Sequence, residues 1–392
     1  QITDINKNIA QALFDPLGLV TATSIYKTAG GKLQEGDGDL ANYTRYDATF
    51  AEVLHDPHKF LQKATNYFFY DLYSWRDSGQ PARSVSLSRE THVSQLDQDS
   101  ETRVQIRIDF ADGFGRAVAA KVLTEPDPGG AGERWIVSGK TVYNNKGKPA
   151  MQYLPFFSAT RDYENGEKIS AGTPPPTKTF YDPLLRIIRI DTPKGFFSRV
   201  EFSPWVEKHY DENDTVLDSA FYNDFIKKGT SEQKFEEDTL KKARLFYNTP
   251  RQKVLDNTGK AFLTIETDVT ADTAGNTQYI YLPTHSRLDI RGNLLAVTDP
   301  RLAKLAEPVQ NLVQVFDLGN SILSSTSVDS GVRLTLNNIY GKPVHLWDGR
   351  GFHTATKYDS LQRPVEVRVT GDDGRGLVLD QVVESIVYGE SQ

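Results

Sequence analysis

The residues of this sequence best suited to chemistry are seven histidines, His55, His58, His92, His209, His285, His345 and His353, because imidazole carries protons near neutrality and ligates metals. Only His55 and His58 are closely spaced. Side chains three apart share a helix face and could share a metal, but Pro57 stands between them, and the three or four ligands that zinc requires are not gathered nearby. The pair reads as surface residues. Ser138-Gly139-Lys140-Thr141 ends like a phosphate-binding loop, yet Arg134 stands where such a loop needs a glycine, inside the strand-like run WIVSGKTVY. It reads as a β turn or bulge. Glu236-Glu237 and Asp372-Asp373 are paired carboxylates of the type that cleaves glycosidic bonds, but they read as solvated charge. No H-E-x-x-H, G-x-S-x-G or kinase phrase occurs. The absence of cysteine excludes thiolate nucleophiles, disulfides and Cys-ligated zinc. The expectation is no catalytic, cofactor-binding or metal-binding residue.

Composition narrows the class further. The chain has 392 residues, 38% hydrophobic and 25% charged, ample for a large folded core. Its formal net charge of −7 makes no basic field for nucleic acid or an anionic membrane. No apolar run approaches the roughly 18 residues of a membrane span, and QITDINKNIAQ is not built like a signal peptide. The chain opens on Gln1 in mid-pattern, has Met151 as its one methionine and ends on ESIVYGESQ, so an internal piece of a longer polypeptide is expected.

The elements that would position any site are announced by a repeat. An apolar or aromatic residue, then Asp or Asn, two or three residues, usually Gly, and an alternating apolar run occur nine times. The copies are FDPLGLVTATSIY from Phe14, FADGFGRAVAAKVL from Phe110, YNNKGKPAMQYL from Tyr143, YDPLLRIIRI from Tyr181 and LDNTGKAFLTIE from Leu255. They continue with LDIRGNLLAVTD from Leu288, FDLGNSILSSTS from Phe316, LNNIYGKPVHLW from Leu336 and YDSLQRPVEVRV from Tyr358. Asp at the first position of a type I turn accepts backbone N–H groups further on, and Gly at the fourth takes positive φ freely. Each phrase is thus a hairpin turn, with the preceding aromatic anchoring it on the sheet. Leu185 and Gln362 replace the glycine, and the Asn337-Asn338 copy looks lengthened, so the turn chemistry there should differ.

Other stretches break the rhythm. DPHKFLQKAT (56–65) predicts a short helix with Phe60 and Leu61 on one face. Residues 217–245 predict two helices broken at Gly229, with Thr230 or Ser231 capping the second and Glu236 and Glu237 paired to Lys241 and Lys242. DPRLAKLAEPVQNL (299–312) predicts a third. The loops EPDPGGAGE (125–133) and SAGTPPPTK (170–178) read as surface excursions. The aromatic run NYFFYDLYSW (66–75) reads as a core strand with Asp71 closing a turn.

Phe-Asp-Pro-Leu-Gly (14–18), Tyr-Asp-Pro-Leu-Leu-Arg (181–186) and Tyr-Asp-Ser-Leu-Gln-Arg (358–363) resemble the tyrosine-aspartate repeats of the rearrangement-hotspot (RHS) family. NYFFYDLYSW, RVQIRIDFADGFGR (103–116), RWIVSGKTVYNNKGKPAMQYLPFFS (134–158) and TPKGFFSRVEFSPW (192–205) resemble, more narrowly, the B component of bacterial tripartite insecticidal (Tc) toxin complexes. The resemblance covers nearly the whole chain. It implies a mainly β fold, an antiparallel RHS/YD-repeat hairpin strip curving into part of a hollow shell, with a few short helices. Residues 1–392 would form one continuous shell segment of a secreted, extracellular toxin complex. Its partners would be a C component, the toxic polypeptide enclosed with it and, through the rest of the B component, a pore-forming A component. No nucleic acid, direct membrane insertion, cofactor or catalysis is implied. Two family features have no match: a propeller-like blade series, and the self-cleavage region of C components. Asp15-Pro16-Leu17-Gly18 is therefore given no protease role.

Nine hairpins supply about eighteen strands, a strip about 85 Å wide at roughly 4.8 Å per strand. Closed on itself, that strip is only about 27 Å across, too narrow for a folded domain with a radius of gyration near 13 Å. A wall of this kind needs the rest of its chain or a partner. Two other readings are an adhesion or carbohydrate-binding β module stacking sugars on Trp75, Trp135, Trp205 or Trp347, and a glycoside-active β enzyme.

Overall fold

A computed structural model describes residues 1–392 apart from positions 5, 31, 98–99, 127–131, 166–172, 229–233, 272–275, 373, 375, 377 and 390–392. The chain divides into two units, Gln1–Tyr181 with Ile190–Lys194, and Asp182–Arg189 with Gly195–Gln392. The fold is mainly antiparallel β in open sheets with short helices, as an RHS strip requires.

In the first unit the strands Ile2–Thr3, Ile9–Phe14, Val20–Ala29, Asn66–Asp71, Ala82–Arg89, Val104–Ala111, Ala117–Thr124, Arg134–Ser138 and Phe156–Ser158 lie side by side in that order, with Lys32–Gly36 paired off Val20–Ala29. Alternation decides which face is covered. Val85 and Leu87 on one strand and Ile106, Ile108 and Phe110 on the next are buried, while Ser84, Ser86 and Ser88 point away. Each such side chain contributes roughly 1.5–3 kcal/mol on leaving water. Tyr67 and Phe69 join this cluster, so the aromatic run is a core strand only over Asn66–Asp71, where Asp71 binds Arg83 at 2.9 Å. Beyond it Leu72, Tyr73 and Trp75 are exposed, and Ser74–Ser78 is a short helix instead of strand.

Two helices cover that face. Phe50–His55 starts with a capping box, Thr49 accepting from the Glu52 N–H while Glu52 accepts from the Thr49 N–H. Asp56 then ends it and caps Pro57–Leu61, whose Phe60 and Leu61 are buried. The helix predicted over 56–65 is thus shorter, and it follows one that the sequence reading did not anticipate.

In the second unit every strand from Phe197–Phe202 to Val378–Ser385 pairs antiparallel with its chain neighbour. The strand Val206–Tyr210 is followed by an insertion holding the 3-10 turn Val216–Asp218 and the helices Ala220–Lys228 and Lys234–Leu245. The break at Gly229 and the caps expected at Thr230 or Ser231 lie outside the described residues. Glu237 does pair with Lys241 at 3.0 Å. The helix predicted over 299–312 is one turn, Pro300–Ala303. Asp299 starts it by accepting from the Arg301 and Leu302 N–H groups at 2.9 and 2.8 Å, and Pro308, which cannot donate to a helix, lies just beyond. Among the described residues of this sheet few side chains are fully buried, notably Val269, Ala296 and Phe352. Helix Lys234–Leu245 packs against Ala261–Ala271, near the buried Phe197, Tyr210, Val216 and Leu240; beyond that insertion the sheet is a single layer with both faces largely open.

Candidate functional site: the rim of aspartate-led turns

All nine repeat phrases fold as the predicted hairpin turns, and Asp112 shows how. Its N–H donates to the Arg116 carbonyl at 2.9 Å, and the Gly115 N–H donates back to the Asp112 carbonyl at 3.0 Å. Asp112 Oδ1 accepts from the Phe114 and Arg116 N–H groups at 2.9 and 3.0 Å. This is a type I turn whose fourth residue, Gly115 at φ 75°, makes a bulge, and the strand register shifts beside it. The fourth position holds Leu185 (φ 65°) and Gln362 (φ 61°) in two copies, yet the loop is the same length and hydrogen-bonded alike. At 316–321 the positive-φ residue is Asn320 rather than its glycine neighbour. The copy from Leu336 is not lengthened: Asn338 leads it, accepting from the Tyr340 and Lys342 N–H groups at 2.9 and 3.0 Å.

Two turns escaped the sequence reading. Asp4 receives the Lys7 N–H at its carbonyl, 3.0 Å, and the Asn8 N–H at Oδ1, 2.8 Å. Asp348 accepts from the Arg350 and Phe352 N–H groups at 2.9 and 3.1 Å. The phrase WDGRGF holds the signal, a lead aspartate with glycine at the fourth place.

Because the second unit's strands run antiparallel in chain order, alternate connections share an edge. The turns led by Asp256, Asp289, Asp317, Asn338 and Asp359 therefore form one rim, spaced about 9.6 Å apart at two strands per step. Asp348 turns on the opposite edge, as do the helical insertion and Pro300–Ala303. Neighbouring rim turns are stitched together. Lys260 Nζ reaches the Arg291 and Gly292 carbonyls at 3.2 Å, Arg291 reaches the Leu318 carbonyl at 3.0 Å, and Asn338 Nδ2 donates to Gln362 Oε1 at 2.9 Å.

The tyrosines that open repeat phrases, and Tyr388 beyond the last phrase, work backwards along the chain. Tyr358 Oη donates to the Pro343 carbonyl at 2.8 Å and Tyr388 Oη to the Pro364 carbonyl at 3.1 Å. In the first unit Tyr143 and Tyr181 do the same to Ala117 and Pro149 at 3.2 and 2.9 Å. In each case the acceptor is the fifth residue after the lead of an earlier turn. An arginine closes the unit: Arg116 and Arg363 bind their own lead aspartates at 2.7 Å and lie over Tyr143 and Tyr388, 4.1 and 4.0 Å from the ring centres. The lead carboxyls of Asp112 and Asp289 are correspondingly acidic. At Asp112 desolvation raises the carboxyl, but the Arg116 guanidinium and the backbone donors outweigh it and hold the group below its ordinary value. At Asp289 the Asn293 N–H is the largest cause of the same shift.

Of the residues first singled out for chemistry, His345 and His353 come together, with ring nitrogens 3.0 Å apart, while the others are dispersed. His55 ends one helix, and His58 lies in the next, 3.7 Å from Glu101. Gly139 bends at φ 63° between Arg134–Ser138 and Thr141–Tyr143, as a turn or bulge should. Lys140 is buried, its ammonium bonded to the Glu164 carbonyl and 4.1 Å from the centre of the Tyr163 ring. Burial pushes this amine down to about 8. Lys121, also buried, binds Glu164 Oε2 at 2.9 Å and the Thr160 carbonyl at 2.7 Å. Both lysines pin the segment 158–164 rather than meet phosphate. Asp373 and the Glu236 side chain lie outside the described residues. Trp135 is buried in the core, whereas Trp75 and Trp205 are exposed. Among the described residues no three His, Cys, Asp or Glu side chains are grouped to hold a metal.

No protein-family model matches the chain, and no curated protein matches it. Solved structures do. The TcdB2–TccC3 crystal structure is 25% identical, covers 99% of this chain and 18% of the solved chain, and has a TM-score of 0.75. TcdB2–TccC3–Cdc42 is 21% identical over 100% of this chain and 20% of that one, with a TM-score of 0.74. The Tc holotoxin pore of Photorhabdus luminescens is 22% identical over 98% of this chain and 20% of that one, with a TM-score of 0.72. The fold is that of an RHS shell protein. More narrowly, it is TcB-like, and the chain spans about a fifth of the length of the solved chains it matches.

Proposed function

We propose that residues 1–392 are one continuous wall segment of a Tc-toxin B-component-like RHS protein. With a C component, the parent polypeptide encloses a toxic polypeptide and passes it to a pore-forming A component in a secreted complex. The wall holds and isolates; it does no chemistry, binds no nucleic acid and does not itself enter a membrane. The observation that carries this reading is the second unit's single-layer sheet, in strict chain order, with its aspartate-led turns stitched along one edge. A layer with so little core beyond its helical insertion suits a wall closed by further chain. The turns supply stiffness, and the charged side chains around them are engaged in structural bonds. The C-terminal region of the C component should resist added protease when co-expressed with the parent polypeptide and be digested when expressed alone. Equal digestion in both states would end the proposal.

A further inference from the structure

The turn led by Asp348 brings together side chains that the spacing of the sequence keeps apart. It joins the strands Pro343–Trp347 and Phe352–Tyr358, and their register sets Trp347 opposite His353 and His345 opposite Ala355. Residues directly opposite share a face, so His345, Trp347 and His353 form one cluster on one side of the sheet. His345 Nδ1 and His353 Nε2 are 3.0 Å apart. Trp347 stacks on the His353 ring, with centroids 4.8 Å apart and planes 14° from parallel, which limits rotation of that imidazole. The other nitrogen of His353, Nδ1, lies 3.5 Å from Thr370 Oγ1 on the next strand.

We propose that His345 and His353 form a two-imidazole site for a tetragonal divalent transition-metal ion, Cu(II) in particular. With metal–nitrogen bonds of about 2.05 Å, two nitrogens 3.0 Å apart subtend about 94° at a shared ion. That is a cis pair of a square or tetragonal site; a tetrahedral site needs about 3.3 Å. Nitrogen ligands in this geometry suit Cu(II) and Ni(II), and Cu(II) binds most tightly of the first-row divalent ions.

The metal-free pair shares one N–H···N bond. Binding the ion requires both facing nitrogens bare, so the ring protons sit on His345 Nε2 and His353 Nδ1, the latter donating to Thr370 Oγ1. A donor bond from the far nitrogen is the usual way a ligating histidine is oriented. No proton need be lost from the neutral pair, only moved between ring nitrogens. Arg368, on the same face across Ala355, is held by Asp380 at 2.6 Å. Its charge is thereby largely neutralised. Since this chain supplies two ligands, water completes the coordination and the ion exchanges readily. The site stands independently of the shell reading.

The test uses the metal-stripped parent polypeptide and one equivalent of Cu(II). Its electron paramagnetic resonance should show coupling to two imidazole nitrogens, with Trp347 fluorescence quenched. His345→Gln and His353→Gln should each remove one coupled nitrogen and weaken binding at least about tenfold, since even an outer-shell change costs about 10–100-fold. His285→Asn should change neither. Should the substitutions disturb folding, mass-spectrometric footprinting of histidines in the unsubstituted protein replaces them: Cu(II) should protect His345 and His353 and leave His285 reactive. Two-nitrogen coupling that persists in both variants, or equal reactivity of His345 and His353 with and without Cu(II), overturns the proposal.

Discussion

At the scale of single residues, a lead carboxylate does two tasks at once. Asp112 Oδ1 satisfies two turn N–H groups, while Oδ2 holds Arg116 over Tyr143. Asp112→Ala leaves both N–H groups without this partner and should cost about 1–2 kcal/mol in denaturant unfolding at neutral pH. Asp112→Asn keeps the amide oxygen as an acceptor, as Asn144 and Asn338 do in their turns, and should cost less. The dependence on pH has a definite sign. The folded carboxyl titrates below its ordinary value of 3.8, so its stabilisation is full above that value and is lost as pH falls through the lower folded one. The gap between wild type and Asp112→Ala should therefore shrink in strong acid, and an unchanged gap there would contradict the carboxylate's role. The aspartate's part was readable from D-x-x-G alone. The destination of the tyrosine hydroxyl was not, because its acceptor belongs to an earlier hairpin.

At the scale of the hairpin, the fourth turn residue must sit at positive φ whatever its type. Gly115 has open space where a Cβ would go, so Gly115→Ala isolates the conformational cost, about 1–2 kcal/mol. Leu185→Gly reverses the trade and should stabilise by up to about 1 kcal/mol, the gain reduced by the freedom of glycine in the unfolded chain. Thermal unfolding of the two variants should move in opposite directions; movement in the same direction would rule out this account. The helices were less legible than the hairpins. A turn is specified by adjacent residues, whereas the ends of Pro57–Leu61 and Pro300–Ala303 depend on what their apolar faces meet.

At the scale of the molecule, the two units carry stability differently. The first buries a continuous cluster under two helices, so Ile108→Ala should cost about 2–5 kcal/mol. In the second, Leu334 is 43% exposed in a single layer, and Leu334→Ala should cost less than about 1 kcal/mol. Hydrogen exchange can read each effect in its own unit, at Val104–Ala111 and at Gly331–Asn337. Similar losses at both sites would mean that the second sheet has a hidden core. In the longer polypeptide proposed above, the Leu334 penalty should rise if further chain covers that face.

Taken by itself, the amino-acid order determined that this protein is built of antiparallel hairpins, where most of them turn, and that it lacks a familiar catalytic phrase. Those features are local: a turn needs only the five residues that bond within it, and strand alternation needs only neighbours. Tertiary structure decided which turns share an edge, where each tyrosine and arginine reaches, and that His345 and His353 meet across Asp348. Such facts depend on register between strands, and one residue of slip would send every side chain to the opposite face.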